Sequence, residues 1–412
     1  MYKKIILTLI SCFILAGCSR TLEAKPEYKD KFAIEKDANI VVSVRNDEYG
    51  KGLVEMFNKN YPKHAGKLSY VVRGEITLEE IRNPNSVYPD LFMVRDAFVG
   101  SMIDKIEPFE IDLHHNMEIS YPLEYGEQTN SMFNYYIPME FKGNLFVYNK
   151  SYLKDNDIDI SVMKSFESII DNKDKIKMYY NSDFNYMYPF LSGKYTMFEN
   201  NNYKNHGMQS DELYDSLKDF KALYKDLKLI DEPIRMTDFL YNNSYQCGLL
   251  YDWLDIEKIE KETNQDLVIT KMPTYKDNQL KTVSYSLGYV MSKDCKYPMM
   301  ANEVMRMMRS KEGIQLYIDT NPTKVVNIDK KYLEEFNYTY KHYKEKVKAY
   351  NYTNVQSLIA VNGHVSKRAY DLIFELNLNV RFQEYLDGKI KLADLRKNID
   401  EEYDKWIEPY IS

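Results

Sequence analysis

Cysteine and tryptophan are scarce in this chain, which has four Cys and two Trp among 412 residues. So few cysteines cannot supply a disulfide framework for a chain of this length. Cys247 and Cys295 lie in apolar or strand-like surroundings, so we expect free, buried thiols. A single bridge between the two remains the alternative.

The chain also lacks a block of basic residues, and its net charge is −7. A mildly acidic chain of this kind binds the phosphate backbone poorly, so we expect no nucleic-acid partner. No apolar run after the N-terminal segment approaches the ~20 residues that a membrane-spanning helix needs.

Motifs for metal, phosphate and nucleophilic chemistry are missing as well. The sequence has no glycine-rich phosphate loop and no G-x-S-x-G elbow. His114 and His115, with Asp112 and Glu118, are the nearest approach to a metal site, but no HExxH or CxxC spacing accompanies them. We therefore predict neither metal nor cofactor. The many carboxylates leave a glycosidase pair open, although no pattern points to one.

The N-terminus has the order of a secretory signal: Lys3 and Lys4, the apolar run Ile5–Leu15, and Leu15-Ala16-Gly17-Cys18. The last four residues resemble the bacterial lipobox. That resemblance implies removal of residues 1–17 and a multiply acylated Cys18. The polar stretch 18–37 would then tether the protein to the extracellular face of the cell membrane. The alternative is an ordinary signal peptide with a coincidental cysteine.

Downstream, strand and helix patterns alternate. Ile40–Val44, Leu68–Val72 and Asp90–Val94 read as strands, with helical patterns between them. Asn46–Gly52 reads as a turn before the first helix, and Thr77 with Glu80 forms a capping box before the second. This order predicts a parallel α/β sheet.

A second α/β region follows the first. Predicted strands are Leu145–Tyr148, Cys247–Tyr251 and Val283–Met291. Predicted helices cover residues 213–227, where apolar side chains recur at helical spacing, and Pro298–Arg309, Gly313–Ile318 and the C-terminus. On the C-terminal helix, Trp406 is expected to face the core. About 395 residues after the signal are too many for one hydrophobic core, so we expect two lobes.

Several motifs now occur together in order. They are Pro89-Asp90-Leu91-Phe92 with Asp96, Ile137-Pro138, Leu145-Phe146-Val147-Tyr148-Asn149-Lys150, Tyr188-Pro189, Gly248, Trp253, Gly288 and Ser292. The set resembles the family 1 bacterial extracellular solute-binding proteins, the maltose-type and multiple-sugar-type receptors. The resemblance covers residues 38–412.

Membership in such a family implies two Rossmann-like α/β lobes joined by hinge strands, the type II periplasmic-binding-protein fold. Lobe 1 would comprise residues 38–141 and 288–335. Lobe 2 would comprise 142–287 and 336–412. The implied function is capture of a small polar solute, a mono- or oligosaccharide, in the cleft between the lobes.

The same resemblance implies a monomer that delivers its ligand to the permease subunits of an ABC importer, without catalysis. A surface-anchored glycoside hydrolase and an adhesin are the alternatives.

A sugar site needs an aromatic platform for the ring face and polar groups for the hydroxyls. We predict Trp253 as the platform, because it follows a buried strand where maltose-type receptors carry a stacking Trp; a core Trp is the alternative. Asp252 beside it could hold a hydroxyl. Lys142 lies near the first crossover, where those receptors carry an acidic ligand-binding residue, so the charge departs from the family pattern.

Further candidates follow from position along the chain. Asp47 and Glu48 occupy the turn after the first strand, with a solvated turn as the alternative. Asp96 follows the third strand, where it could instead cap a helix. The remaining candidates are Asp183, Tyr186 and Tyr188 in a lobe 2 loop, and Tyr285 on a hinge-type strand.

The lipobox generates a direct prediction. Cys18→Ser should abolish membrane retention, because the acylated side chain is lost, while the folded domain is unaffected. Membrane fractionation with detergent-phase partitioning measures this. Retention of the variant in the detergent phase would contradict lipidation at Cys18.

Overall fold

A computed structural model describes residues 34–99, 102–110, 135–195, 207–229, 241, 244–328, 330–350, 352–353, 360–361, 364–365 and 376–411. The predicted signal peptide, Cys18, most of the tether, and His114 and His115 lie outside these ranges.

Three parallel strands form the first part of the sheet. β1 (Ile40–Val44) lies between β2 (Leu68–Val72) and β3 (Leu91–Arg95), with Ile40 paired to Leu68 and Val42 to Leu91. The strands are rich in β-branched and apolar residues, which suit a sheet covered on both faces. The predicted parallel α/β arrangement is confirmed.

The helix after β1 begins earlier than the sequence suggested. It spans Asp47–Asn60, and the Asn46 side chain accepts a hydrogen bond from the Tyr49 backbone N–H. The predicted turn at Asn46–Gly52 is therefore wrong, because Asn46 caps the helix and Asp47 and Glu48 occupy its first turn. Acidic side chains are favourable there because they interact with the positive end of the helix dipole.

The next helix, Leu78–Arg82, begins at the predicted capping box. Thr77 Oγ1 accepts from the Glu80 backbone N–H, and the Glu80 side chain accepts from the Thr77 backbone N–H. This local pattern was correctly predicted because both partners lie within one helical turn.

Two long strands connect the two halves of the molecule. The first is β5 (Ile137–Asn149), whose 13 residues are all buried. It follows the short strand β4 (Ile106–Glu107) in the chain. The first half of β5 pairs antiparallel with the second long strand, β11 (Thr282–Ser292). On its other side, β11 pairs antiparallel with β3. The second half of β5 pairs antiparallel with β7 (Cys247–Tyr251) and β8 (Leu267–Thr270).

The second half of the sheet is mixed. β6 (Met178–Tyr179) runs parallel to β7, so the path through the sheet is β2-β1-β3-β11-β5-β7-β6. A further short strand, β12 (Val325–Val326), pairs with β5 at Phe141 and Glu140. Both β5 and β11 thus change partners near Lys142 and Tyr285. The fold is the predicted α/β type, while the exact lobe boundaries stay a prediction.

The other described helices cover the sheet or close its ends. They are Asp96–Val99, Lys150–Asp155, Phe166–Asp171, Phe184–Leu191, Asp211–Asp226, Ile256–Thr263, Pro298–Met308, Lys311–Thr320, Tyr343–Ala349, Leu378–Leu386 and Leu392–Ile411. Single 3-10 turns occur at Pro62–His64, Ile160–Lys164 and Lys330–Glu335. Short strand pairs comprise β9 (Thr274–Tyr275) with β10 (Asn278–Gln279), and β14 (Ala360–Val361) with β15 (His364–Val365). β13 (Tyr352–Thr353) joins β11.

Several side-chain expectations are met. Cys247 and Cys295 are both free, as predicted; Cys247 is buried, whereas Cys295 is only partly buried, so the predicted burial holds for Cys247 alone. Trp406 lies on the C-terminal helix and packs against the main hydrophobic core, as its position in the apolar stripe predicts. None of the helices in the described ranges is both long and apolar enough to cross a bilayer.

Gly288 is required where β5 and β11 approach most closely. The register between these strands shifts between Leu287 and Gly288. A Cβ atom on Gly288 would lie 2.3 Å from the backbone oxygen of Ile137 and 2.7 Å from the Tyr136 ring. Because the closest atom belongs to the backbone, the strands would have to separate to admit a methyl group.

We therefore expect Gly288→Ala to lower the free energy of unfolding by about 1–3 kcal/mol, the usual cost of overpacking. The matched control is Gly74→Ala, since a Cβ there meets no atom within 4 Å. Urea denaturation of both variants measures the difference. Equal stabilities would show that the crossover accommodates a side chain.

Candidate functional site

Polar side chains collect at the carboxyl ends of the three parallel strands. Arg45 directly follows β1, Glu75 follows β2, and Arg95 ends β3. In open α/β sheets this edge is where ligands bind. In the other half of the sheet, the parallel strand β7 ends at Tyr251, and Trp253 follows two residues later.

The crossover of β5 and β11 presents a polar face next to these strand ends. Side chains of directly paired residues project from the same face of a sheet, as do residues i and i+2. Tyr285 pairs with Lys142, and Leu287 pairs with both Glu140 and Arg95. Asn144 pairs with Tyr251. One face therefore carries Arg95, Tyr285, Glu140, Lys142, Asn144 and Tyr251.

Arg95 and Glu75 form a two-point ion pair on this face. Arg95 Nη2 lies 2.8 Å from Glu75 Oε1, and Arg95 Nε lies 3.3 Å from Oε2. The guanidinium also lies 4.9 Å from the centroid of the Tyr285 ring, a cation–π contact. Burial acts to raise the pKa of the Glu75 carboxyl, but Arg95 and Lys142 outweigh it and hold this pKa below its ordinary value.

A second, deeper ion pair joins β1 to β5. Arg45 Nη2 donates to Glu140 Oε2 at 2.7 Å, and Arg45 Nε and the Tyr317 hydroxyl both donate to Glu140 Oε1. The Glu140 side chain is fully buried. Both of its oxygens are therefore occupied by groups of the protein, as a buried carboxylate requires.

Trp253 is an exposed aromatic platform. Its ring stacks on Tyr251 with centroids 6.0 Å apart and planes 16° apart, and 44% of the residue is exposed. Tyr251 in turn contacts Tyr186 edge-on at 5.7 Å. Trp253 is thus not a core residue, and its free ring face is large, flat and apolar, which suits a sugar ring.

Asp252 differs from expectation. We predicted that it faces a ligand, but it is buried, and its Oδ2 accepts a hydrogen bond from the Tyr350 hydroxyl. Burial raises the pKa of the Asp252 carboxyl, although Tyr350 and Lys346 act against that rise. Asp252 and Trp253 lie in the turn that follows β7, where Trp253 is exposed and Asp252 is buried.

Lys346 holds the loop that carries Trp253. Its Nζ donates to the backbone oxygens of Asp252 at 2.5 Å, Leu254 at 3.2 Å and Thr323 at 3.1 Å. The same ammonium group thus joins the end of β7 to the segment before β12. The contacts fix the loop beneath the exposed indole.

Of the other predicted site residues, Lys142 and Tyr285 are brought together on the crossover face. Tyr186 approaches only through Tyr251 and is itself buried. Tyr188 is buried in the core, where its hydroxyl donates to the backbone oxygen of Tyr195 at 3.4 Å.

The predicted acidic residues have structural partners. Asp96 is buried, and its Oδ2 accepts from the Ser286 backbone N–H at 2.9 Å. Asp183 caps the helix Phe184–Leu191 by accepting from the Asn185 backbone N–H. Asp47 pairs with Lys51 and accepts from the Tyr70 hydroxyl, and it lies exposed with Glu48 at the start of its helix. Contact of these residues with ligand stays a prediction.

Arg45, Glu75, Arg95, Glu140 and Tyr251 were missed by reasoning from the sequence. A signal was present for two of them, since Arg45 directly follows a strand-like run and Arg95 ends another. The others are recognisable only from strand pairing, because nothing in their neighbourhoods distinguishes them from core or surface residues.

A family model described as bacterial extracellular solute-binding protein matches residues 77–355. The chain belongs to this family. The family assignment makes it a binding protein and not an enzyme. No curated protein matches the chain at a significant level.

Solved structures share the fold of this solute-binding protein. A cyclo/maltodextrin-binding protein complexed with maltotetraose aligns with a TM-score of 0.69 and 13% identity over 90% of this chain and 98% of its own. An extracellular solute-binding protein from Staphylococcus aureus in complex with maltose aligns with a TM-score of 0.66 and 16% identity, over 91% of this chain and 99% of its own. The GacH receptor of Streptomyces glaucescens, solved unliganded and with acarbose, aligns with a TM-score of 0.66 and 15% identity, over 91% of this chain and 100% of its own. At these identities the likeness shows the fold alone.

The environment of Lys346 generates a prediction about pH. Burial lowers the pKa of Lys346 from 10.5 to about 8. Between these values the unfolded protein binds more protons than the folded protein, so this group makes stability rise with pH. The cost of the buried charge is fully present below pH 8 and is relieved above it.

We expect the unfolding free energy of the wild type, relative to Lys346→Met, to rise by about 2 kcal/mol between pH 8 and pH 10. Other groups titrate in both proteins and cancel in the difference. Lys348→Met, on the exposed side of the same helix, should keep the wild-type slope. Urea denaturation across this pH range measures the slopes. Parallel curves for wild type and Lys346→Met would contradict the lowered pKa.

Proposed function

We propose that this solute-binding protein captures a mono- or oligosaccharide in the cleft beside the β5–β11 crossover and delivers it to the permease of an ABC importer. The observation that carries the proposal is the exposed Trp253, stacked on Tyr251 at the carboxyl end of β7. An indole with a free face is the group a protein uses to bind the apolar face of a sugar ring.

Polar groups for hydroxyls lie on the sheet face that also carries Tyr251, on which this platform stacks. Arg95 and Lys142 supply cationic donors, Glu75 supplies carboxylate acceptors, and the Tyr285 hydroxyl can donate or accept. These four side chains come from three different strands and the loop after β2. A mixture of donors and acceptors on one face suits a ligand with hydroxyl groups in several directions.

Structures of similar fold support the ligand class. Three of them are described with maltotetraose, maltose or acarbose bound. The departures here are the cationic Arg95 and Lys142 at the crossover, so we propose a saccharide without naming maltose.

Lobe closure would couple binding to delivery. The proposed lobes are 38–141 with 288–335 and 142–287 with 336–412, so β5, β11 and the segment after β12 connect them. A ligand that contacts both lobes stabilises the closed arrangement over the open one. The permease would then recognise the closed form.

The proposed anchor is the acylated Cys18 on the extracellular face of the cell membrane. Residues 18–37 would act as a tether that lets the lobes reach the permease while the lipid stays in the bilayer.

The test begins with a thermal-shift screen of the full chain, purified in detergent, against neutral and acidic saccharides. Binding at 100 times the dissociation constant stabilises a protein by ~2.7 kcal/mol, which shifts the melting temperature measurably. For the saccharide identified, Trp253→Ala should weaken binding about thirty-fold or more, because an aromatic anchor contributes roughly 2 kcal/mol. Titration calorimetry measures the affinity.

Trp406→Ala is the matched control. Trp406 packs against the core and lies on the C-terminal helix, so its loss should lower the melting temperature without changing affinity. Trp253→Ala should instead weaken binding and change the melting temperature little, since the Trp253 ring is half exposed. Normal affinity in a folded Trp253→Ala protein would contradict the platform, and turnover of an oligosaccharide would favour a hydrolase.

A further inference from the structure

Three cationic side chains converge at the crossover. Lys142 lies in the middle of β5, Arg45 follows β1, and Lys324 directly precedes β12. Val325 pairs with Phe141 and Val326 with Glu140. In this antiparallel register, Lys324 is the residue opposite Lys142, so both lysines belong to the face that carries Tyr285 and Glu140.

The carboxylates nearby are already engaged. Glu140 accepts from Arg45 and Tyr317 through both oxygens. Glu75 forms its two hydrogen bonds with Arg95, and its Oε2 lies 3.9 Å from Lys142 Nζ, too far for a hydrogen bond. The buried Asp252 accepts from Tyr350.

Lys142 and Lys324 are therefore left without an acceptor. Among the described residues neither ammonium group donates a hydrogen bond, Lys142 has an ion pair with Glu75 at 3.9 Å, and Lys324 has no ion pair. The Lys142 side chain is only 10% exposed. Its environment is thus mostly protein, and its ion-pair partner Glu75 is already hydrogen-bonded to Arg95.

This arrangement is costly for the empty protein. Burial lowers the pKa of Lys142, and Arg45 lowers it further. Burial also lowers the pKa of Lys324, where Glu140 acts to raise it and Arg45 to lower it. In both lysines the effect of burial outweighs that of the carboxylates nearby. An anion between the two lysines would remove the cost.

We propose that the saccharide carries an anionic group, a carboxylate or a phosphate ester, which Lys142 and Lys324 bind while Trp253 covers the sugar ring. The inference rests on the proposed function and names the class of its ligand. The spacing fits, because Lys142 precedes Asn144 by two residues, ~7 Å along β5. Asn144 pairs with Tyr251, on which Trp253 stacks.

The probes are matched neutral and acidic saccharides, tested on the full chain in detergent. Maltose is compared with a disaccharide of the same length ending in glucuronate, and glucose with glucuronate and glucose 6-phosphate. Calorimetry at low and high salt should show that an acidic member binds about tenfold or more tightly than its neutral counterpart, with the preference weakened by salt. Preference for the carboxylate or for the phosphate member identifies the anion.

Lys142→Met and Lys324→Met then test the two residues. Each should remove most of the preference for the acidic ligand. Because each also removes a charge that burial disfavours and that donates no hydrogen bond within the described residues, the melting temperature of the empty protein should stay level or rise. Lys63→Met, which removes an exposed lysine on the 3-10 turn after the first helix, should change neither property.

The outcomes separate the two proposals. Neutral sugars binding as tightly as acidic ones would overturn the anion site and leave sugar binding intact. An acidic preference that survives both lysine substitutions would also overturn it. Failure of every neutral and acidic saccharide to bind would overturn the proposed function together with this inference.

Discussion

Both halves of the protein depend on a single strand, Ile137–Asn149, whose 13 residues are all buried. Because the strand pairs with β11 and β12 in its first half and with β7 and β8 in its second, it cannot shift register without disrupting both halves of the sheet. Its central residues, Glu140 and Lys142, are charged. The strand thus fixes where the two halves meet and also places ionisable groups at that junction.

Burying charge at the junction imposes the next constraint, since every buried ion needs a partner. Glu140 is satisfied by Arg45 and Tyr317, which come from β1 and from the helix Lys311–Thr320. Lys346 is satisfied by three backbone oxygens, and it fixes the loop that bears Trp253. These contacts join distant segments at the crossover. Lys142 and Lys324 donate no hydrogen bond within the part of the chain that the structure describes, which is why we propose them as ligand-binding residues.

Local features of the fold were readable from the sequence. The first strand, the Thr77–Glu80 capping box and the stripe of the helix Asp211–Asp226 lie where the pattern predicted them. Errors arose where one side chain decides a boundary. Asn46 caps the helix at once, so Asp47 and Glu48 lie in a helical turn and not in a loop. In the turn after β7, Trp253 is exposed while its neighbour Asp252 is buried, so the two adjacent residues have different roles.

The sequence by itself determined the α/β character of the chain, its solute-binding family and the position of an aromatic residue after β7. Those features depend on composition, periodicity and short motifs. Only the tertiary structure decided which charges meet. Arg45 and Glu140 are 95 residues apart, and Arg95 and Glu75 meet only because two strand ends lie side by side. Such contacts are set by strand register and by the crossover of β5 and β11, and no local pattern encodes a pairing between residues so distant in the chain.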